Sequence, residues 1–280
     1  MIDLGKLCDN STGVDVHPPA SVNALMAFAD SDQLSDQQVV QKAMQDAKTF
    51  PSVWFVNFVD PLAAAQPQPL AKHMQNVNEY RNWASFVWWR TVFNQRKLPQ
   101  DDSEQSVEKR SAYCAKVASY HMKQTPWLGM NLDQNVSKSI ECNATDFHTK
   151  IAETVLEGFV SITPSNVQAL EGIFTPLRLA ISEGSENISN KTIICQRYQY
   201  TPEIDVVKSY VRAISFNVTD DMKNVNNAKR AGGQVRCRIE YNEYEAIFNE
   251  QLWSQTSGQI NEDQKTVADD LRKQQTVDCS

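Results

Sequence analysis

Gln234-Val235-Arg236-Cys237-Arg238-Ile239-Glu240-Tyr241 decides the fold. Val235, Cys237, Ile239 and Tyr241 fall on one side of an extended chain, and Gln234, Arg236, Arg238 and Glu240 on the other. Period two with a sharp change of polarity is the pattern of a strand that buries one face. Working back toward the N-terminus, Thr192–Tyr200 gives a second strand, with Ile194, Tyr198 and Tyr200 opposed to Ile193, Cys195 and Arg197. Residues 204–218 give a third, in which Tyr210, Ile214, Phe216 and Val218 alternate. Gly232-Gly233 reads as a turn between the last two.

The chain before these strands reads as helical. Asp36 opens a helix with Val39, Val40, Ala43, Met44, Ala47 and Phe50 at spacings of three and four. Val53–Val59 is apolar throughout and fits a buried strand or a short buried helix equally well. A long helix is expected from about Asn76 to Arg96, carrying Trp83, Trp88 and Trp89, and another from about Ser106 to Met122. The three indoles fit either core packing or an interfacial belt. Two apolar helices then form a hairpin. The first, from about Asp146 to Ser161, has Ile151, Val155, Phe159 and Ile162 in phase. The second starts at Thr163-Pro164 and carries Val167, Leu170, Phe174 and Leu177, with Pro176 marking a kink or an early stop. Residues 243–253 read as helical again. Helices followed by strands predict an α+β fold: an antiparallel sheet flanked by helical layers, in one domain with a helical N-terminal half. The expected limits are an irregular arm over 1–20, the domain over 21–254, and a peripheral helix and tail over 255–280.

Charge and chemistry narrow the function. Lys and Arg total 27 against 34 Asp and Glu, a net charge of −7, which disfavours nucleic acid and anionic surfaces as partners of the whole chain. The start lacks the apolar core of a secretory signal, and the apolar runs are too short to span a bilayer, so a soluble protein is expected. There is no Gly-x-Ser-x-Gly and no phosphate loop. The four histidines, His17, His73, His121 and His148, include no i,i+4 pair, and the six cysteines include no C-x-x-C. No acid, base and nucleophile converge in sequence, so neither an enzyme, a metal nor a cofactor is expected. Reduced, buried thiols are the reading for the cysteines. A buried thiol can still carry an acyl chain if the core holds an apolar channel, and Cys237 and Cys195 are the two candidates.

The apolar hairpin, Ile151–Val160 and Val167–Phe174, the link Glu186-Asn-Ile-Ser-Asn-Lys191 and the long strands after it resemble the cytolytic delta-endotoxin fold and the Erwinia virulence factor family. That resemblance implies a toxin-like virulence factor released to act at host membranes. Its partners would be membrane lipid or a fatty acyl chain, with palmitate held covalently in an interior apolar tunnel. Ile151, Val155, Phe159, Leu170, Phe174 and Leu177 would be the lipid-contacting residues, and Cys237 or Cys195 the attachment point. A pore former without acylation and a protein-binding immunity or adaptor module remain the alternatives.

Overall fold

The computed structural model describes residues 14–17, 36–183, 191–217 and 234–255. The elements are β1 (Val14–His17), α1 (Asp36–Thr49), β2 (Val53–Val59), α2 (Pro61–Ala64), α3 (Pro67–Phe93), α4 (Glu104–Gln124), β3 (Leu128–Asn143), α5 (Phe147–Leu156), α6 (Pro164–Glu183), β4 (Lys191–Thr201), β5 (Val206–Asn217), β6 (Gln234–Phe248) and a last helix, α7, over 250–255. One six-stranded sheet, ordered β1-β2-β4-β5-β6-β3, lies between two helical layers. The expected α+β class is the one observed. The sheet is mixed, however, rather than antiparallel: β2 and β4 run parallel from Val53↔Thr192 to Val59↔Tyr198, while the other pairs are antiparallel. The chain leaves β2, crosses through the helices and returns beside it in the same sense, as a parallel neighbour requires.

All seven residues of β2 are buried, so this strand shows an unbroken apolar run instead of alternation. On one face, Phe55, Ile194, Tyr198, Val211, Tyr244 and Phe248 pack against α1, α3 and α4. On the other, Val56, Phe58, Ile193, Cys195, Ile214, Phe216, Ile239 and Tyr241 pack against α5 and α6. Trp88 and Trp89 are fully buried in the first of these cores, which decides for packing against an interfacial belt.

Several boundaries depart from the sequence pattern. The expected irregular arm contains strand β1. Helix α3 begins at Pro67, nine residues before Asn76, because Pro67 and Pro69 fit a first helical turn that lacks internal N–H partners anyway. Helix α5 stops at Leu156 rather than Ser161, and Gly158 turns the chain at φ +73°, a conformation that glycine adopts without a Cβ clash. Helix α6 continues past Pro176 to Glu183. Residues 243–248, read as helix, extend β6, whose Tyr244, Ala246 and Phe248 complete the first core. Strand β3 gives no alternating signal because it is an edge strand with most side chains in water on both faces. The Gly232-Gly233 turn lies outside the described residues, as does the 255–280 tail apart from Gln255.

A buried ion pair ties α1 to α4. Arg110 donates from Nε to Asp46 Oδ2 at 2.6 Å and from Nη2 to Oδ1 at 3.0 Å. Its Nη1 donates to the carbonyls of Pro99 and Asp101 at 2.8 and 2.7 Å. Both side chains are essentially closed to solvent, at 0% and 1% exposure. Arg110→Ala leaves the Asp46 carboxylate buried without its partner, and urea titration is expected to show a loss of about 3–5 kcal/mol.

Candidate functional site

The sheet face under α5 and α6 holds the thiol that the sequence singles out. Cys195 sits at the middle of β4, with Val56 of β2 and Arg212 of β5 as its cross-strand neighbours. Its exposure is 0%, and it belongs to the apolar core that α5 and α6 close from above. Burial pushes the thiol up to about 12, only partly opposed by the charges of Arg212 and Arg81. The sulfur therefore stays protonated at neutral pH and is no nucleophile while the core is closed. Any covalent chemistry at Cys195 needs the helices lifted from it.

Two arginines hold those helices down. The main chain leaving α5 presents the carbonyls of Val155, Glu157 and Phe159, the negative end of the helix dipole. Arg212 Nη1 donates to Glu157 O at 2.7 Å and to Val155 O at 3.4 Å, and Arg197 Nη1 donates to Phe159 O at 2.6 Å. The Phe159 ring lies between the two, its centre 4.9 Å from the Arg212 guanidinium carbon and 5.4 Å from that of Arg197. Arg212 is aimed by carboxylates from β6: Nε lies 3.1 Å from Glu243 Oε1, and Nη2 2.9 Å from Glu245 Oε2. Phe159, read from its period as one apolar residue among six, is thus the point at which the hairpin is gripped.

Ile151, Val155, Phe159, Leu170 and Phe174 are all buried in the same core as Cys195. They face the sheet, so contact with a bilayer would require the hairpin to leave it. Leu177 lies in α6 and Cys237 in β6, opposite Ile140 of β3; the side chains of both fall outside the described residues. Three open clefts stand out among the described residues. Cys195 lines none of them. Cys114, Cys142 and Cys195 form no disulfide, and among the described residues no group of His, Cys, Asp and Glu is arranged to hold a metal ion. No helix of the described residues is long and apolar enough to cross a membrane.

The tertiary structure also assembles a polar chain that no sequence spacing announces. Ser209 Oγ lies 2.9 Å from His73 Nε2, and His73 Nδ1 lies 2.7 Å from Glu250 Oε2. With the ring neutral, Nδ1–H donates to the carboxylate and Nε2 accepts the serine proton. The order hydroxyl, imidazole, carboxylate is that of a hydrolytic triad, yet Ser209 is 0% exposed and the imidazole is enclosed by the rings of Tyr198 and Phe248. Moving α7 aside to admit a substrate would take Glu250 with it. The chain therefore works as a tie between α3, β5 and α7, reinforced by Asn76, which donates to Glu250. Burial holds His73 below its ordinary value, with Glu250 partly opposing. His121, packed against Trp83 and Trp88, is likewise lowered by burial.

No family model matches the chain, and no curated protein sequence matches it. Among solved structures, one titled "Structure of the Evf virulence factor" is similar over 67% of this chain and 68% of that chain, at 9% identity and a TM-score of 0.39.

Arg212→Ala removes the grip on the α5 terminus and leaves Glu243 buried without its cation. Backbone amides of α5 and α6 are expected to exchange with deuterium at least about tenfold faster, a loss of roughly 1.4 kcal/mol or more in local stability, while those of α3 change little. The His73 tie predicts a pH dependence. A neutral imidazole is favoured in the folded protein, so its contribution is complete above the unfolded value of about 6.5 and is lost as pH falls through that value toward the lower folded one. Thermal unfolding followed from neutral to mildly acidic pH is expected to show a falling midpoint, with a shallower fall in His73→Gln.

Proposed function

We propose that this protein is a toxin-like virulence factor that binds lipid at membranes and carries a fatty acyl chain on Cys195, between the sheet and the α5–α6 hairpin. One observation supports the reading. Cys195 is a fully closed thiol in an apolar layer whose cover is a pair of helices gripped by arginines at one end. Cys195 lines none of the open clefts among the described residues, so an acyl chain at that place has to displace hairpin side chains, exchanging their packing for methylene burial at about 0.8 kcal/mol per buried CH₂. The protonated thiol requires acylation to take place with the hairpin raised, before the core closes over the product. Cys195 is preferred to Cys237 on its position: it lies at mid-sheet beneath the hairpin, whereas Cys237 lies toward the end of the β3–β6 pair.

The edge of β3 favours a second reading. A sixteen-residue strand at the end of the sheet, mostly in water, offers main-chain groups to which an extended segment of another protein can pair. That reading is a protein-binding module without membrane activity.

Intact-mass and peptide analysis of the protein isolated from its native source separates the two. The acyl reading expects the mass of one fatty acyl group on the peptide bearing Cys195, released by hydroxylamine, lost in Cys195→Ser and retained in Cys237→Ser. Unmodified Cys195 in the native protein would end it. Liposome flotation without dye release is expected of a lipid carrier, and dye release of a pore former.

A further inference from the structure

On the face of the sheet away from Cys195, helix α4 does not reach across the end of β5, β6 and β3, and a cleft of about 430 Å³ is left beside it. Its floor is one rung of the sheet. Thr192 of β4 stands opposite Ser215 of β5, Ser215 opposite Asn242 of β6, and Asn242 opposite Asn135 of β3. Four consecutive strands thus place a polar residue at the same level, where the neighbouring apolar core ends. The wall is the outer side of α4, with Lys116, Ser119 and Tyr120.

The floor is held in a fixed arrangement. The Thr192 hydroxyl lies 3.0 Å from that of Ser215 and donates to Ala115 O at 3.1 Å. Asn242 Nδ2 donates to Asn135 Oδ1, Gln134 O and Asp133 Oδ1 at 3.1, 3.2 and 3.0 Å. Three acceptors around one nitrogen fix the orientation of that amide, because the reverse orientation would set an oxygen against three oxygens. Asn242 Oδ1 is then a buried acceptor with no hydrogen-bond donor among the described residues. A buried acceptor left unsatisfied costs roughly 1–3 kcal/mol.

We infer that this cleft is a binding site for a neutral saccharide. Strand neighbours are about 4.8 Å apart, so the rung offers amides and hydroxyls at a spacing comparable to the width of a pyranose ring. Of these groups Asn135 can both donate and accept, as sugar hydroxyls demand, and Ser215 Oγ, whose proton goes to Thr192, can accept. Tyr120, 69% exposed at the mouth, supplies a flat aromatic face for the C–H side of a sugar ring. A charged ligand is less well served. Lys123 is committed to Asp133, at 2.7 Å, which leaves Lys116 as the cation of the cleft. The volume lies within the range of roughly 300–1,000 Å³ typical of small-molecule sites.

The test is a titration of the full-length ¹⁵N-labelled protein with glucose, galactose, mannose, N-acetylglucosamine and, separately, inorganic phosphate. At least one sugar is expected to shift the amides of residues 116–123, 215 and 242. Tyr120→Ala and Asn135→Ala, both at exposed positions, are expected to weaken that sugar by about tenfold or more. Cys195→Ser should bind as the wild type does, so the outcome is independent of the acyl reading. Shifts with phosphate alone, no shift with any sugar, or undiminished sugar binding in both variants would overturn the assignment.

Discussion

Burial of one sheet on both of its faces is the constraint from which the rest follows. β2 and β4 are central strands with apolar side chains above and below, so each needs a helical layer on either side. α1, α3 and α4 supply one layer, with the indoles of Trp88 and Trp89 filling much of its volume. The apolar pair α5 and α6 supplies the other. The layers differ in how they are attached. The first is threaded through by long helices and tied by the Asp46–Arg110 pair and the His73 chain. The second is a hairpin laid on the sheet and gripped where α5 ends.

That difference shapes the chemistry open to Cys195. A thiol at mid-sheet in an apolar layer is shut off from base, solvent and substrate, and burial keeps its proton on. Its chemistry depends on the motion of the hairpin, and hence on the arginines that hold it. Arg212 joins carboxylates of β6 to carbonyls at the end of α5, so one guanidinium connects the sheet to its cover. The opposite face ends differently: α4 stops short of the last strands, and the sheet there carries a polar rung, buried at Thr192 and exposed at Asn135, instead of an apolar surface.

Much of the fold was legible in the residues. The alternation in β4, β5 and the start of β6, the three-four spacing in α1, and the apolar hairpin each reflect a single periodicity that burial imposes on a local segment. Cys195 and five of the six hairpin positions singled out in that way lie in one core. Strand β3 was not legible, since an edge strand wet on both sides needs no apolar period. Residues 243–248 do alternate, with Glu243 and Glu245 against Arg212 on one face and Tyr244, Ala246 and Phe248 in the core on the other, so their strand character was legible and the helical expectation missed it.

The sequence by itself determined which segments bury an apolar side and therefore which elements form, because that information is local and repeats with the period of the backbone. Tertiary structure alone decided the parallel pairing of β2 with β4, the meeting of Ser209, His73 and Glu250, the grip of Arg197 and Arg212 on the end of α5, and the polar rung from Thr192 to Asn135. Each of these joins residues far apart along the chain through strand order and register, and no local spacing encodes a contact that depends on where a distant strand comes to lie.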